Sequence, residues 1–266
     1  MKKLLSLMLA LCLCALMLLP AVAAATETDA VATPGDAETE LVDGAVPETA
    51  EKTFTSVADV AKFILEPSPW GEIQITPATL QTEEGAQDVY LVALRGTGFS
   101  MNKSNNVIAC FLSAFDMTSN FYRITRDAVF KYVPEGSRIL FAGHSLGGMI
   151  EQQLTSRKEF TDKYEVLNTL TMGSPYVLTR SSSREGTLVR CVDSYDVIPL
   201  LGPGAVLGAG KGKVHRLDGG YLGDPNSAHN LSYMRKDLWG GYDVLGVKDG
   251  SAKLVFQAAD VITLSA

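Results

Sequence analysis

The stretch Arg138–Met149, RILFAGHSLGGM, decides the fold. An apolar run of strand length, RILFA, leads into GHSLG, Gly143 to Gly147, and MIEQQL then takes up a helical pattern. Strand, tight turn and helix in that order make the G-x-S-x-G elbow, which lifts a serine hydroxyl above the carboxyl end of a sheet strand. The pentapeptide alone turns up by chance in about one chain in ten of this length, so the flanking strand and helix carry the weight. The plainer alternative is a glycine-rich turn in which Ser145 only caps the helix.

Outward from this point the pattern repeats. Upstream, SVADVAKFIL carries a capping serine, Ser56, ahead of apolar residues at helical spacing, and DVYLVALRG is a run of strand formers closed by glycine. TSNFYRITRDAVFKYV sets Phe121, Ile124, Val129 and Val133 near one helical face. Downstream, YEVLNTLTMGSP and GTLVRCVDSYDVIP are two further apolar strands ending in polar residues and proline. Continuous apolar strands alternating with helices predict an α/β fold whose central sheet is mostly parallel and flanked by helices. Ligand sites in such sheets lie at the carboxyl ends of the strands, where the conspicuous residues fall.

A serine nucleophile needs an imidazole to take its proton and a carboxylate to orient that imidazole. The chain has three histidines. His144 adjoins Ser145, where neighbouring side chains diverge, so it is expected to pack or hydrogen-bond beneath the turn. His215, in the alternating GKVHRL, reads as a strand residue. His229, in GDPNSAHNLSYM, lies in a polar loop entering a helical pattern, the setting of a loop-borne base. For the carboxylate, Asp193 and Asp196 both follow TLVRCV; Asp196 sits on the loop ahead of VIP and is the favoured partner, with Asp193 behind it. The order Ser145, Asp196, His229 is that of α/β-hydrolases.

VALRGT, GHSLGG, TMGSPYV, DVIP and AHNLSY, taken together from Val92 to Tyr233, resemble the class 3 lipase family of α/β-hydrolases, which act on triacylglycerols, phospholipids and other carboxylic esters. The resemblance implies a triad of Ser145, Asp196 and His229, with an oxyanion hole formed by Thr97, the residue after RG, and the amide of Leu146. It implies no metal or cofactor, and an ester substrate presented in solution or at a lipid–water interface. The interval from Asp196 to His229 is short beside the larger fungal members. Phe99–Phe115, FSMNKSNNVIACFLSAF, occupies the place of the family's lid, or is an ordinary core element. LLGPGAVLGAG, Leu200–Gly210, reads as an acyl-pocket lining or as a connector. The same triad would equally serve an acyltransferase, and a non-catalytic surface module is the alternative of a different class.

Composition bounds the rest. The 266 residues are 46% hydrophobic, enough for one large domain. Residues 1–25 combine Lys2 and Lys3, an apolar run from Leu4 to Leu19 and small residues offering AVA and AAA as cleavage sites. A helix over that run would span about 24 Å, short of a hydrocarbon core of about 30 Å, so it reads as a secretory leader and the protein as exported. Cys12 and Cys14 follow leucines, which disfavours lipidation. Residues 26–52 are predicted to be an acidic disordered linker, with residues 53–266 as the folded domain. The formal charge of −7 disfavours nucleic acid as a partner. Cys110 and Cys191 are a disulfide or two buried thiols; their spacing leaves both open.

Overall fold

In the computed structural model, Arg138–His144 is the strand β4, buried at every position after the first and placed inside a nine-strand sheet. The structure describes residues 50–66, 73–96, 116–179, 184–208 and 211–265. The other strands are β1 (Glu51–Phe54), β2 (Ile73–Thr82), β3 (Gly85–Leu94), β5 (Glu165–Met172), β6 (Thr187–Asp193), β7 (Lys213–Leu217), β8 (Lys253–Gln257) and β9 (Ile262–Leu264). They are ordered β1-β8-β2-β3-β4-β5-β6-β7, with β9 also on β2. β3 to β7 pair in parallel. β2 runs against β3, and β8 and β9 run against β2, so both point along the parallel block. The fold class is therefore α/β, with a mostly parallel sheet flanked by helices.

Both faces are covered, which is why the central strands read as unbroken apolar runs. On one face α1 (Val57–Leu65) packs with Trp239 and Tyr233 over Leu140, Ala142, Leu170 and Met172. On the other, α2 (Asn120–Tyr132) and α3 (Leu146–Leu154) cover Val92, Leu94, Ile139 and Phe141. Ser56 caps α1 by accepting from the Asp59 amide, and Ser119 caps α2 by accepting from Tyr122. Phe121, Val129 and Val133 are buried beneath α2, and Ile124 packs beside them. Short helices follow: α4 (Lys158–Thr161), α5 (Gly204–Leu207), α6 (Pro225–Asn230) and α7 (Lys236–Trp239).

The strand β2, IQITPATLQT, has no clean alternation because Pro77 interrupts it. Its outer edge is patched by two separate pieces, β9 opposite Ile73–Ile75 and β8 opposite Thr79–Gln81. Pro77 falls in the gap between them, where no partner strand needs its missing N–H. At the other end, β1 takes in Glu51 and Lys52, the last two residues of the expected linker. Backbone pairing with β8 recruits them although their side chains stay exposed. The leader, the rest of the acidic segment, and Phe99–Phe115 with Cys110 lie outside the described residues. Cys191 is fully buried on β6, where burial pushes its thiol pKa up. No helix among the described residues is long and apolar enough to cross a membrane.

Candidate active site at the end of β4

β4 ends at His144, α3 begins at Leu146, and Ser145 alone makes the turn, at φ 55° and ψ −122°. An L-residue adopts such a backbone only at a cost of about 1–3 kcal/mol, so its surroundings must enforce it. The Ser145 amide donates to the Met172 carbonyl at 2.9 Å, fixing the turn to β5. The glycines let the flanks close on each other. A Cβ on Gly143 would lie 2.5 Å from the Gly148 amide nitrogen, and one on Gly147 would run into the Leu94 carbonyl. Gly96, beyond β3, passes directly against the serine: a Cβ there would stand 2.6 Å from that of Ser145.

Asp224 caps α6 by accepting from the Ser227 amide, and Pro225 starts the helix, which carries His229 in its last turn. His229 Nε2 lies 3.0 Å from Ser145 Oγ, and its Nδ1 lies 2.9 Å from Asp196 Oδ2. A carboxylate only accepts, so Nδ1–H donates to Asp196 and bare Nε2 accepts the serine proton. The Asp196 side chain is wholly buried and is held by the Ile198 amide on its other oxygen, at 2.9 Å. Gly173, at φ 61°, leaves room for this pair: a Cβ there would approach Asp196 Oδ2 to 2.7 Å.

No family model matches this chain, and no curated protein shows significant similarity to it. The site therefore stands on its geometry. A hydroxyl bonded to the bare nitrogen of an imidazole, whose other nitrogen donates to a buried carboxylate, is arranged to lose its proton and attack an electrophile. The first amides of α3, Leu146 among them, have no partner within the helix and carry the partial positive charge of its N-terminus next to Ser145. Thr97 lies outside the described residues.

The competing candidates take other roles. His144 donates from Nε2 to the His229 backbone carbonyl at 2.9 Å, with the two rings 4.4 Å apart. Burial, and then the neighbouring His229, drive its pKa well below the ordinary histidine range, so it is neutral. His215 stays on β7, its ring 4.6 Å from that of Tyr242. Asp193 accepts from the Tyr195 amide at 2.8 Å and from the Ser232 hydroxyl, which shapes the loop on which Asp196 sits.

Tyr233 was not singled out from the sequence. Its hydroxyl donates to Asp196 Oδ2 at 2.7 Å and accepts from the Asp193 amide at 3.1 Å. Burial, reinforced by the Asp196 charge, raises its pKa well above the ordinary tyrosine range, so it stays a donor. No local signal marks it, because its contact with Asp196 spans 37 residues of chain.

The loops that carry Asp196 and His229 also expose large apolar side chains: Val197 and Leu200 beside the aspartate, Leu222 and Leu231 beside the histidine, and Val206 and Leu207 at 75% and 69% exposure. The last two ride on α5, so the described part of Leu200–Gly210 contains a short helix, Gly204–Leu207, with exposed apolar side chains. Among the described residues no group of three or more His, Cys, Asp or Glu side chains is arranged to hold a metal ion.

Proposed function

We propose that the protein is an exported serine hydrolase of carboxylic esters with an α/β-hydrolase fold, akin to the class 3 lipases. The observation that carries this reading is the unbroken chain Ser145 Oγ, His229 Nε2, His229 Nδ1, Asp196 Oδ2, with spacings of 3.0 and 2.9 Å. The strained backbone of Ser145, the Ser, Asp, His order and the position at strand carboxyl ends support the same reading.

In the first half-reaction Ser145 Oγ attacks the ester carbonyl carbon while His229 Nε2 takes its proton, and Asp196 stabilises the imidazolium. The Leu146 amide and Thr97 stabilise the oxyanion; losing one such donor costs about 3–4 kcal/mol. His229 returns the proton to the leaving alcohol. In the second half-reaction His229 takes a proton from water, the hydroxide attacks the acyl carbon, and Ser145 leaves with the proton as the free acid departs. Neither half-reaction calls for a metal or cofactor. The apolar side chains flanking Asp196 and His229 favour an ester with an apolar acyl chain, met at a lipid–water interface.

A fluorophosphonate probe tests the reading directly: it labels the parent and leaves Ser145→Ala unlabelled. On a p-nitrophenyl ester, Ser145→Ala lowers turnover by about a million-fold. Retention of a tenth of the activity in Ser145→Ala would overturn the assignment, and an unlabelled parent would favour a non-catalytic binding module. Acyl transfer to an added alcohol in preference to water would make it an acyltransferase.

A further inference from the structure

The helix α3 buries all nine of its residues, among them a polar run of three, Glu151, Gln152 and Gln153. Gln152 is fully employed: its amide donates to the Gly148 and Pro175 carbonyls and accepts from the Val177 amide. Glu151 is not. It is 0% exposed, and neither carboxyl oxygen has a hydrogen-bond partner among the described residues. Helical side chains lean toward the N-terminus, and that lean carries this carboxyl back beneath the Ser145 turn. A Cβ on Gly143 would lie 2.6 Å from Glu151 Oε2 and 2.5 Å from the Gly148 nitrogen, so the carboxyl fills the angle between β4 and α3.

A carboxylate there would be a buried charge with no cation among the described residues placed to balance it. The strands and helices packed most closely on α3 are α2, β3, β4 and β5; Arg184, from the segment before β6, also reaches α3 but donates to the Gln152 and Val177 carbonyls, and α3 has no other ionisable residue. Arg138 of β4 and Glu165 of β5 pair with each other at the exposed strand starts, and Asp88 of β3 is exposed. On α2, Arg123, Arg126, Asp127 and Lys131 lie on the outer face, and the Tyr122 hydroxyl is given to Glu159. Tyr90 and Tyr132 pack at the margin of the apolar cluster, and His144 is neutral and committed to His229. The Asp116–Arg157 pair sits past the far end of α3, with Asp116 against Gln153. Burial accordingly raises the Glu151 pKa well above the ordinary range; the Ala142 backbone amide, near the carboxyl but outside hydrogen-bond geometry, offsets only part of it.

We infer that Glu151 is a positioning residue that works as a neutral acid, a spacer holding the β4–α3 angle, and that its ionisation ends activity at alkaline pH. The link to activity rests on the hydrolase reading. An ionised Glu151 must admit water or a cation between Gly143 and Gly148, which opens the turn that forces Ser145 to its positive φ. It also sets a negative charge under the amides that would receive the oxyanion.

The sign of the effect is fixed. The folded state holds the Glu151 proton more tightly than the unfolded chain, so stability falls as pH climbs from the ordinary glutamate range through the raised one. Glu151→Gln keeps the shape and removes the titration. Its thermal midpoint is expected to gain steadily on the parent's between about pH 5 and about pH 9.5, and a pH-independent gap would overturn the inference. In the parent, infrared spectra at neutral pH are expected to show a protonated-carboxyl band that vanishes as pH rises and is missing from Glu151→Gln. Its absence from the folded parent would overturn the inference even if the variant failed to fold. The ratio of kcat/KM at about pH 9.5 to that at about pH 7 is expected to fall about tenfold in the parent and about twofold or less in Glu151→Gln. The thermal and infrared arms need no ester to be cleaved, so an inactive protein would sink the hydrolase reading and leave the test of Glu151 standing.

Discussion

One oxygen of Asp196 serves two donors: His229 Nδ1 at 2.9 Å and the Tyr233 hydroxyl at 2.7 Å. Tyr233 therefore fixes where the carboxylate stands before the imidazole meets it. Tyr233→Phe keeps the packing, removes the bond to Asp196 and leaves the Asp193 amide without its acceptor. The expected result is a loss of about 1–3 kcal/mol in denaturant unfolding. In ester turnover kcat is expected to fall about tenfold with KM little changed, because the bond acts on geometry and not on substrate.

The two aspartates separate by substitution. Asp196→Asn turns an acceptor into an amide facing His229 and is expected to lower kcat by about 10⁴-fold, as the loss of the triad carboxylate does in comparable sites. Asp193→Asn disturbs the loop through Ser232 and the Tyr195 amide without touching His229. It is expected to cost about 1–3 kcal/mol of stability and less than about tenfold in kcat. Steady-state kinetics and urea titration on both variants would show a reversed pattern if Asp193 were the partner of His229.

His144 gives the site an acid-side limit. Its folded pKa is depressed, so the unfolded chain binds the proton more readily and stability is lost as pH falls below the ordinary histidine value. The loss amounts to about 1.4 kcal/mol per unit below about pH 6.5. His144→Gln removes this titration. Its thermal midpoint is expected to decline less than the parent's between about pH 7 and about pH 5, a contrast that a structural role alone would not produce.

Glycine substitutions divide the turn from its neighbour. Gly147→Ala drives a methyl into the Leu94 carbonyl, part of a central strand that cannot give way, and is expected to destabilise by about 3 kcal/mol or more. Gly96→Ala presses on Ser145 Cβ from a segment beyond the end of β3. There the serine is displaced more than the fold, so fluorophosphonate labelling is expected to fall much further than the thermal midpoint.

What was legible from the residues follows from how local each signal is. β4, its turn and α3 adjoin in sequence, and an unbroken apolar run beside a helical period discloses a strand buried on both faces. His229 was separable from His144 and His215 because each sits in a different local pattern. β2 was not legible, since Pro77 breaks its alternation and is tolerated only through the arrangement of β8 and β9 far along the chain. Glu151, Gln152 and Gln153 have the composition of a solvated helix face; the segment around Pro175 and Val177 that engages Gln152 lies beyond any window on α3. Tyr233 needed the loop of Asp196 folded against it, a contact that spacing cannot report.

The pairing of β1 with β8 joins opposite ends of the described chain, Glu51 facing Gln257. β2 likewise obtains its outer partners only from β8 and β9. During synthesis the parallel block from β3 to β7 can assemble while one flank of the sheet still presents bare backbone. Closure waits for the last strands to emerge. Loop-closure entropy is therefore met late, and closing of this flank is expected to lag behind assembly of the parallel block.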